Sequence, residues 1–152
     1  TWIKQNNIIA TDGDVADYNF IKQKIMDIGM DFRIQSICYD RWNASQLVID
    51  LTNEGVPMEP FGQGFQSMSA PTKELEKLIL GHQIIHDGSP VLSWMLSNIA
   101  LQEDPAGNIK PNKAKSTEKI DGVVALIMAL GSYMTEEDIN SVYDQRGLLI
   151  LW

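Results

Sequence analysis

Residues 34–40 read Ile34-Gln35-Ser36-Ile37-Cys38-Tyr39-Asp40, an apolar run that closes on a carboxylate. The pattern predicts a strand from Phe32 to Tyr39, buried on both faces, with Asp40 as its last residue. Residues 44–53 have helical spacing and are followed by Gly55, and residues 56–61 predict another strand. A strand, a helix and a strand in this order form a βαβ unit, so we expect the two strands to be parallel.

The segments around this unit predict further helices and a hairpin, which places the chain in the α/β class. A first helix is expected from Asp14 or Asp17 to Ile28, with Gly29 ending it. Pro71 suits the first turn of a helix over 72–85. A short helix is expected over 90–95 and an apolar, deeply packed one over 116–134. Residues 98–101 and 109–113 are expected to be the arms of a hairpin.

The bulk composition fits one globular domain over 1–152. No apolar stretch approaches the length of a membrane span, and no signal peptide is visible. The single cysteine, Cys38, cannot form an internal disulfide and suits a reducing compartment. The net charge of −8 argues against a large phosphate-binding surface, so we expect weak binding of DNA by this segment alone.

Asp40 and Asp121 are the candidate catalytic residues. Asp40 ends the first predicted strand, and Asp121 opens the long apolar helix. We expect the two carboxylates to meet over one edge of the sheet and to hold a divalent cation, which can drive phosphodiester hydrolysis. Each has a structural alternative, because Asp40 can cap the helix that follows it and Asp121 can interact favourably with a helix dipole.

Three other patterns carry weaker signals. His82 and His86 have a spacing that suits zinc, but no third ligand is evident. The glycines around Gln63 lack the Gly-Lys-Ser/Thr ending of a P-loop, so no nucleotide-hydrolysing site is visible. Four lysines lie close to Asp121 in the sequence, either on a solvated hairpin or as phosphate contacts beside the metal; they are Lys110, Lys113, Lys115 and Lys119.

Several strings, in this order over nearly the whole chain, resemble the C-terminal nuclease domain of the large terminase subunit of tailed phages and prophages. They are Tyr39-Asp40-Arg41-Trp42-Asn43-Ala44, Phe61-Gly62-Gln63-Gly64, Pro90-Val91-Leu92-Ser93-Trp94-Met95 with Asn98, Gly107-Asn108-Ile109-Lys110-Pro111, Lys119-Ile120-Asp121-Gly122-Val123-Val124-Ala125, and Val142-Tyr143-Asp144-Gln145-Arg146-Gly147-Leu148. Each string is modest alone, and their order makes the resemblance specific.

The resemblance implies an RNase H-like mixed sheet flanked by helices and metal-dependent cutting of concatemeric viral DNA during packaging. Asp40 and Asp121 correspond to two of the acids that hold one or two Mg²⁺ or Mn²⁺ ions, and the candidate DNA contacts are Arg41, Lys110, Lys113 and Lys119. The implied partners are double-stranded DNA, the ATPase domain of the same subunit, the small terminase subunit and the portal. The implied location is the cytoplasm of the bacterial host.

One departure from the family pattern concerns the start of the chain. The family's first acid lies on an opening strand upstream of a segment like that at Trp2, and Asp12, Asp14 and Asp17 do not match it. We therefore expect a fragment without the ATPase, the first strands and one metal ligand, with weak or absent cleavage. We also expect either self-association through an exposed strand edge or partial disorder. The alternatives are a catalytically silent docking module and another RNase H-like enzyme of the resolvase or transposase type.

Overall fold

The computed structural model describes residues 1–41 and 46–146, with side chains described as far as residue 135. The predictions that involve Trp42-Asn43-Ala44 and the apolar end of the chain over 147–152 lie outside the described residues. The elements, in order, are α1 (Tyr18–Asp31), β1 (Ile37–Asp40), α2 (Gln46–Asn53), β2 (Met58–Phe61), α3 (Phe65–Leu80), α4 (Pro90–Ser97), β3 (Leu101–Glu103), β4 (Ile109–Pro111) and α5 (Asp121–Arg146).

The predicted βαβ unit is confirmed, because β1 and β2 pair in parallel around α2. Asp40 is the last residue of β1, and it lies opposite Phe61. The strand is shorter than predicted and half-buried rather than buried on both faces. The ladder starts at Ile37 because β2 begins only at Met58, its partner in register.

The hairpin is also confirmed, since β3 and β4 pair antiparallel across the loop 104–108. Its first arm begins at Leu101, where the prediction ended it. In the described part of the chain the strands form two separate two-stranded sheets, one parallel and one antiparallel, instead of one mixed sheet. Self-association through the edge of β1 remains a prediction.

Several helix boundaries differ from the predictions, including the end of α3 at Leu80 rather than residue 85 and the end of α5 at Arg146 rather than residue 134. Asp17 caps α1 as expected, with its Oδ1 accepting from the Phe20 N–H at 3.0 Å, but the helix continues through Gly29 to Asp31. α3 begins at Phe65, so Pro71 lies inside it. Burial of the α3 face that carries Pro71 against α5 offsets the lost backbone hydrogen bond, which costs about 3 kcal/mol. α5 begins at Asp121 rather than residue 116.

The hydrophobic core lies mainly between α3 and α5, which confirms that the first half of α5 is deeply packed. Each large apolar side chain that is fully buried contributes about 1.5–3 kcal/mol. The buried members of this core are Met68, Leu75, Ile120, Val123, Val124, Ile127 and Met128, and Cys38, Phe61 and Leu92 pack against them. None of the described helices is both long and apolar enough to cross a lipid bilayer.

The direction of α5 relative to the parallel strands is set by contacts along its length. Ser132 Oγ lies 2.9 Å from Ser36 Oγ, just before β1, while Met128 Sδ accepts from Gln63 Nε2 at 3.9 Å, beyond the end of β2. The helix therefore runs antiparallel to both strands. Its start lies towards the edge of the sheet where the strands end.

Candidate metal and nucleic-acid site

Asp121 is placed by the packing at the start of α5. The neighbouring glycine allows α4 to approach closely, because the Gly122 N–H donates to Met95 Sδ at 3.2 Å and a Cβ at this position would lie 2.9 Å from that sulfur. Ile120, directly before Asp121, is only 1% exposed. A buried residue on one side and a tight contact on the other hold the Asp121 backbone, while the carboxylate points to solvent.

The Asp121 carboxylate forms an ion pair with the ammonium group of Lys113. Lys113 Nζ donates to Asp121 Oδ1 at 2.7 Å, and both side chains are more than half exposed. The hydrogen bond from Lys113 holds the pKa of Asp121 below its ordinary value, with a smaller contribution from the charge of Lys119. Two of the predicted phosphate contacts thus lie beside the predicted metal ligand.

These groups line an open cleft of about 380 Å³ at the start of α5. Its described lining includes Ser116 and Glu118, which were not among the predicted site residues. A helix start at residue 116 placed Glu118 in the first turn of the predicted helix, where an acidic residue favours the helix dipole and needs no functional explanation. The acidic residue three positions before Asp121 was the available signal.

A second polar cleft, of about 240 Å³, adjoins the first through Lys113, which lines both. Lys110 lies there, with its Nζ donating to the Gln63 carbonyl at 3.1 Å and positioned 5.3 Å from the centre of the Phe65 ring. The other polar residues that line this second cleft are Gln63, Gln102 and Asn112. The two clefts together present three lysines along one polar surface.

Asp40 and Arg41 lie at the carboxyl end of β1 and outside the described lining of either cleft. The course of α5 nevertheless relates Asp40 to Asp121. From the Ser36–Ser132 contact, β1 extends about 13 Å to Asp40 and α5 extends about 16 Å back to Asp121, in the same direction. Both residues therefore lie towards the same end of the molecule.

The donors present suit Mg²⁺ or Mn²⁺ in kind, because both ions prefer carboxylate oxygens. The Lys113 ammonium group shows that the Asp121 carboxylate accepts a cation, and the cleft has room for an ion. Within residues 1–41 and 46–135, however, no three acidic, histidine or cysteine side chains come together as a ligand group. The described residues supply part of a ligand set.

The two histidines do not form a helical pair. α3 ends at Leu80, so His82 and His86 lie in the segment after it, and His86 Nδ1 accepts from the Gly88 N–H at 3.0 Å. Both line a mainly apolar cleft of about 340 Å³ between α3, α4 and α5. The helical spacing on which a shared zinc site depended is absent.

Comparison with known proteins identifies a terminase large subunit and protein YmfN among the relatives. The chain is 36% identical over 133 residues to the terminase large subunit of Enterobacteria phage HK97, covering 86% of this chain and 26% of the relative. It is 32% identical over 145 residues to protein YmfN of Escherichia coli strain K12, covering 94% of this chain and 32% of the relative. The chain thus spans about a quarter to a third of the curated relatives it matches.

Two solved structures of large terminases are also similar to this chain. The crystal structure of the HK97 bacteriophage large terminase superposes with a TM-score of 0.79 at 36% identity, covering 86% of this chain and 28% of that one. The large terminase nuclease of thermophilic phage G20c shares the fold, with a TM-score of 0.56 at 14% identity over 78% of this chain and 62% of that one. The family model for the endonuclease domain of the terminase large subunit matches residues 1–137, and the chain belongs to this family.

Proposed function

We propose that this chain is the metal-dependent endonuclease domain of a DNA-packaging terminase large subunit, with an RNase H-like arrangement, and that it cuts concatemeric double-stranded DNA. The observation that carries the proposal is the Asp121 carboxylate, which is exposed in an open cleft and holds an ammonium cation at 2.7 Å. The relation of Asp40 to Asp121 through α5 supports a second carboxylate at the same end of the sheet.

The roles of the residues follow from their chemistry. Asp40 and Asp121 would hold one or two Mg²⁺ or Mn²⁺ ions, which supply Lewis-acid stabilisation of the phosphorus centre when bound. Lys110, Lys113 and Lys119 would neutralise phosphates on the DNA strand and set its register along the two clefts. Arg41, next to Asp40, would contact the phosphate backbone of the DNA.

The partners follow from the family and remain part of the proposal. They are double-stranded DNA, an ATPase domain of the same subunit, the small terminase subunit and the portal, in the cytoplasm of a bacterial host. The negative net charge of the chain implies that the protein partners, with the metal ions, supply much of the affinity for DNA.

A docking module without catalysis is the second candidate function. The exposed apolar side chains of α1 support it. This helix has no buried residue, and its apolar side chains at Tyr18, Ile21 and Ile28 are 52%, 38% and 50% exposed. Such a surface suits contact with another protein domain.

Titration with Mn²⁺ by calorimetry separates the two candidates. We expect Asp40→Asn and Asp121→Asn each to weaken Mn²⁺ binding by at least about ten-fold, because each removes one charged oxygen ligand. Asp27→Asn is the matched control, since Asp27 lies on α1 and its carboxylate accepts from Gln23. If neither site variant differs from the control, the metal site is wrong and the docking module is favoured.

A further inference from the structure

Lys113 occupies a position that joins the two polar clefts. Its ammonium group donates to Asp121 Oδ1 at 2.7 Å, and its side chain also lines the neighbouring cleft that contains Lys110. It lies on the segment between β4 and α5 rather than on either element. The Lys113 ammonium group can therefore reach either the Asp121 carboxylate or the second cleft.

The contact between Lys113 and Asp121 is easily exchanged. The two side chains are 55% and 61% exposed, and ion pairs this exposed shift an equilibrium by no more than about five-fold. A divalent cation carries twice the charge of an ammonium group and prefers the same carboxylate oxygens. Binding of such an ion at Asp121 would therefore displace Lys113.

We propose that Lys113 is a positioning residue that holds the Asp121 carboxylate until a divalent cation replaces it, and that the exchange frees its ammonium group for a phosphate in the adjoining cleft. The inference rests on the proposed cation site at Asp121. It assigns Lys113 two successive partners, so that metal binding prepares the surface for DNA. Phosphate is the chemical class that an exposed lysine beside a second lysine would take.

Calorimetric titration of the full chain with MnCl₂ tests the exchange. The variants are Lys113→Met, Lys115→Met and Asp121→Asn. Lys115 is the matched control because it carries the same charge two residues further along the same segment, whereas the cations that lower the Asp121 pKa are Lys113 and Lys119. We expect Lys113→Met to bind Mn²⁺ about three-fold or more tightly than Lys115→Met.

The outcomes separate the inference from the proposed function. Equal Mn²⁺ affinities for Lys113→Met and Lys115→Met, with binding weakened in Asp121→Asn, would overturn the exchange and leave the metal site intact. Binding to Asp121→Asn that matches the unmutated chain would overturn the metal site, and the exchange with it.

A second measurement uses the unmutated chain and does not depend on the folding of a methionine variant. Reductive methylation with ¹³C-formaldehyde labels each lysine and keeps its charge, and Lys113→Arg assigns the Lys113 signal. We expect Mg²⁺ to shift the Lys113 resonance over the concentration range that saturates the site, while the Lys115 resonance moves less. A Lys113 signal that stays in place at saturating Mg²⁺ would contradict the exchange.

Discussion

Ser36 and Ser132 form a hydrogen bond of 2.9 Å between their hydroxyl groups, which links the segment before β1 to α5. Because the Ser132 hydroxyl donates to Glu59 Oε2 at 2.9 Å, the Ser36 hydroxyl must be the donor to Ser132. Ser132 therefore links Ser36, just before β1, to Glu59, within β2. Together with the core packing of α5, this short chain of hydrogen bonds fixes the position of the helix along the sheet, and thus the end towards which Asp121 lies.

Removing the Ser132 hydroxyl should loosen this link. We expect Ser132→Ala to lower the free energy of unfolding by about 1–2 kcal/mol, because Ser132 is 7% exposed and both of its hydrogen-bonding partners lose a contact. Urea unfolding measures the change. The control is Ser97→Ala on the exposed end of α4, which should change stability by less than about 0.5 kcal/mol. Equal effects of the two substitutions would mean that the link carries no stability.

Helix propensity alone predicts that Gly131→Ala stabilises the chain, but the packing around Gly131 predicts that it destabilises the chain. A Cβ at this position would lie 2.7 Å from Phe61 Cζ and 3.2 Å from Pro71 Cγ. We expect Gly131→Ala to destabilise the chain by about 1–3 kcal/mol through overpacking. Gly29→Ala on α1 is the control, since its Cβ would meet only Ile34 Cδ1 at 3.7 Å and the change should stabilise by up to about 1 kcal/mol. A midpoint of urea unfolding that rises for both variants would contradict this packing.

Asp104 should make the stability of the hairpin depend on pH. Its pKa is lowered first by the Asn108 side-chain amide, which donates to Oδ2 at 2.9 Å, and then by the backbone N–H groups of Asn108 and Ala106. A lowered pKa in the folded state means that the ionised group contributes stability above the ordinary aspartate value of about 3.9. This contribution is lost as the pH falls through the lowered pKa.

Comparison with Asp104→Asn isolates this effect. We expect the unmutated chain to be the more stable of the two above about pH 4, and the difference to narrow on further acidification. Unfolding in urea at a series of pH values measures it. A difference that grows as the pH falls would contradict the direction of the pKa shift.

The lysines of the two clefts should contribute to DNA binding as phosphate contacts. We expect Lys110→Gln, Lys113→Gln and Lys119→Gln each to weaken binding to double-stranded DNA irrespective of sequence, and to reduce the slope of log affinity against log salt by about 1. Fluorescence anisotropy in the presence of Ca²⁺ measures both quantities. Lys24→Gln on α1 is the control, because Lys24 lies over the Phe20 ring on a different surface. Equal losses for the control and the cleft variants would exclude a localised DNA path.

The parts of the fold that were predictable are those where local chemistry decides the structure. The βαβ unit follows from two apolar runs around a helical segment, and the Asp17 cap follows from a side chain that satisfies the first turn of a helix. Pro71 misled the prediction because its local preference for a first turn was outweighed by packing of α3 against α5. That packing is a long-range property that no short window of sequence contains.

The candidate site was predictable to a similar extent. Asp121 was identifiable as an acid at a helix start, and the lysines were identifiable as neighbours in the sequence. The contact between Lys113 and Asp121 depends on how the segment after β4 turns towards α5, which residue spacing does not determine. On α1, the apolar residues Tyr18 and Ile28 have helical spacing, yet both side chains remain about half exposed. Spacing shows which residues share a face and not what covers it.

The most direct test is the location of Mn²⁺ by anomalous diffraction at the manganese edge in crystals of this chain soaked with MnCl₂. We expect a peak within about 2.2 Å of carboxylate oxygens of both Asp40 and Asp121, with Lys113 moved away from Asp121. A peak in contact with neither carboxylate, or Asp40 and Asp121 too far apart for one or two adjacent ions to bridge them, would contradict it.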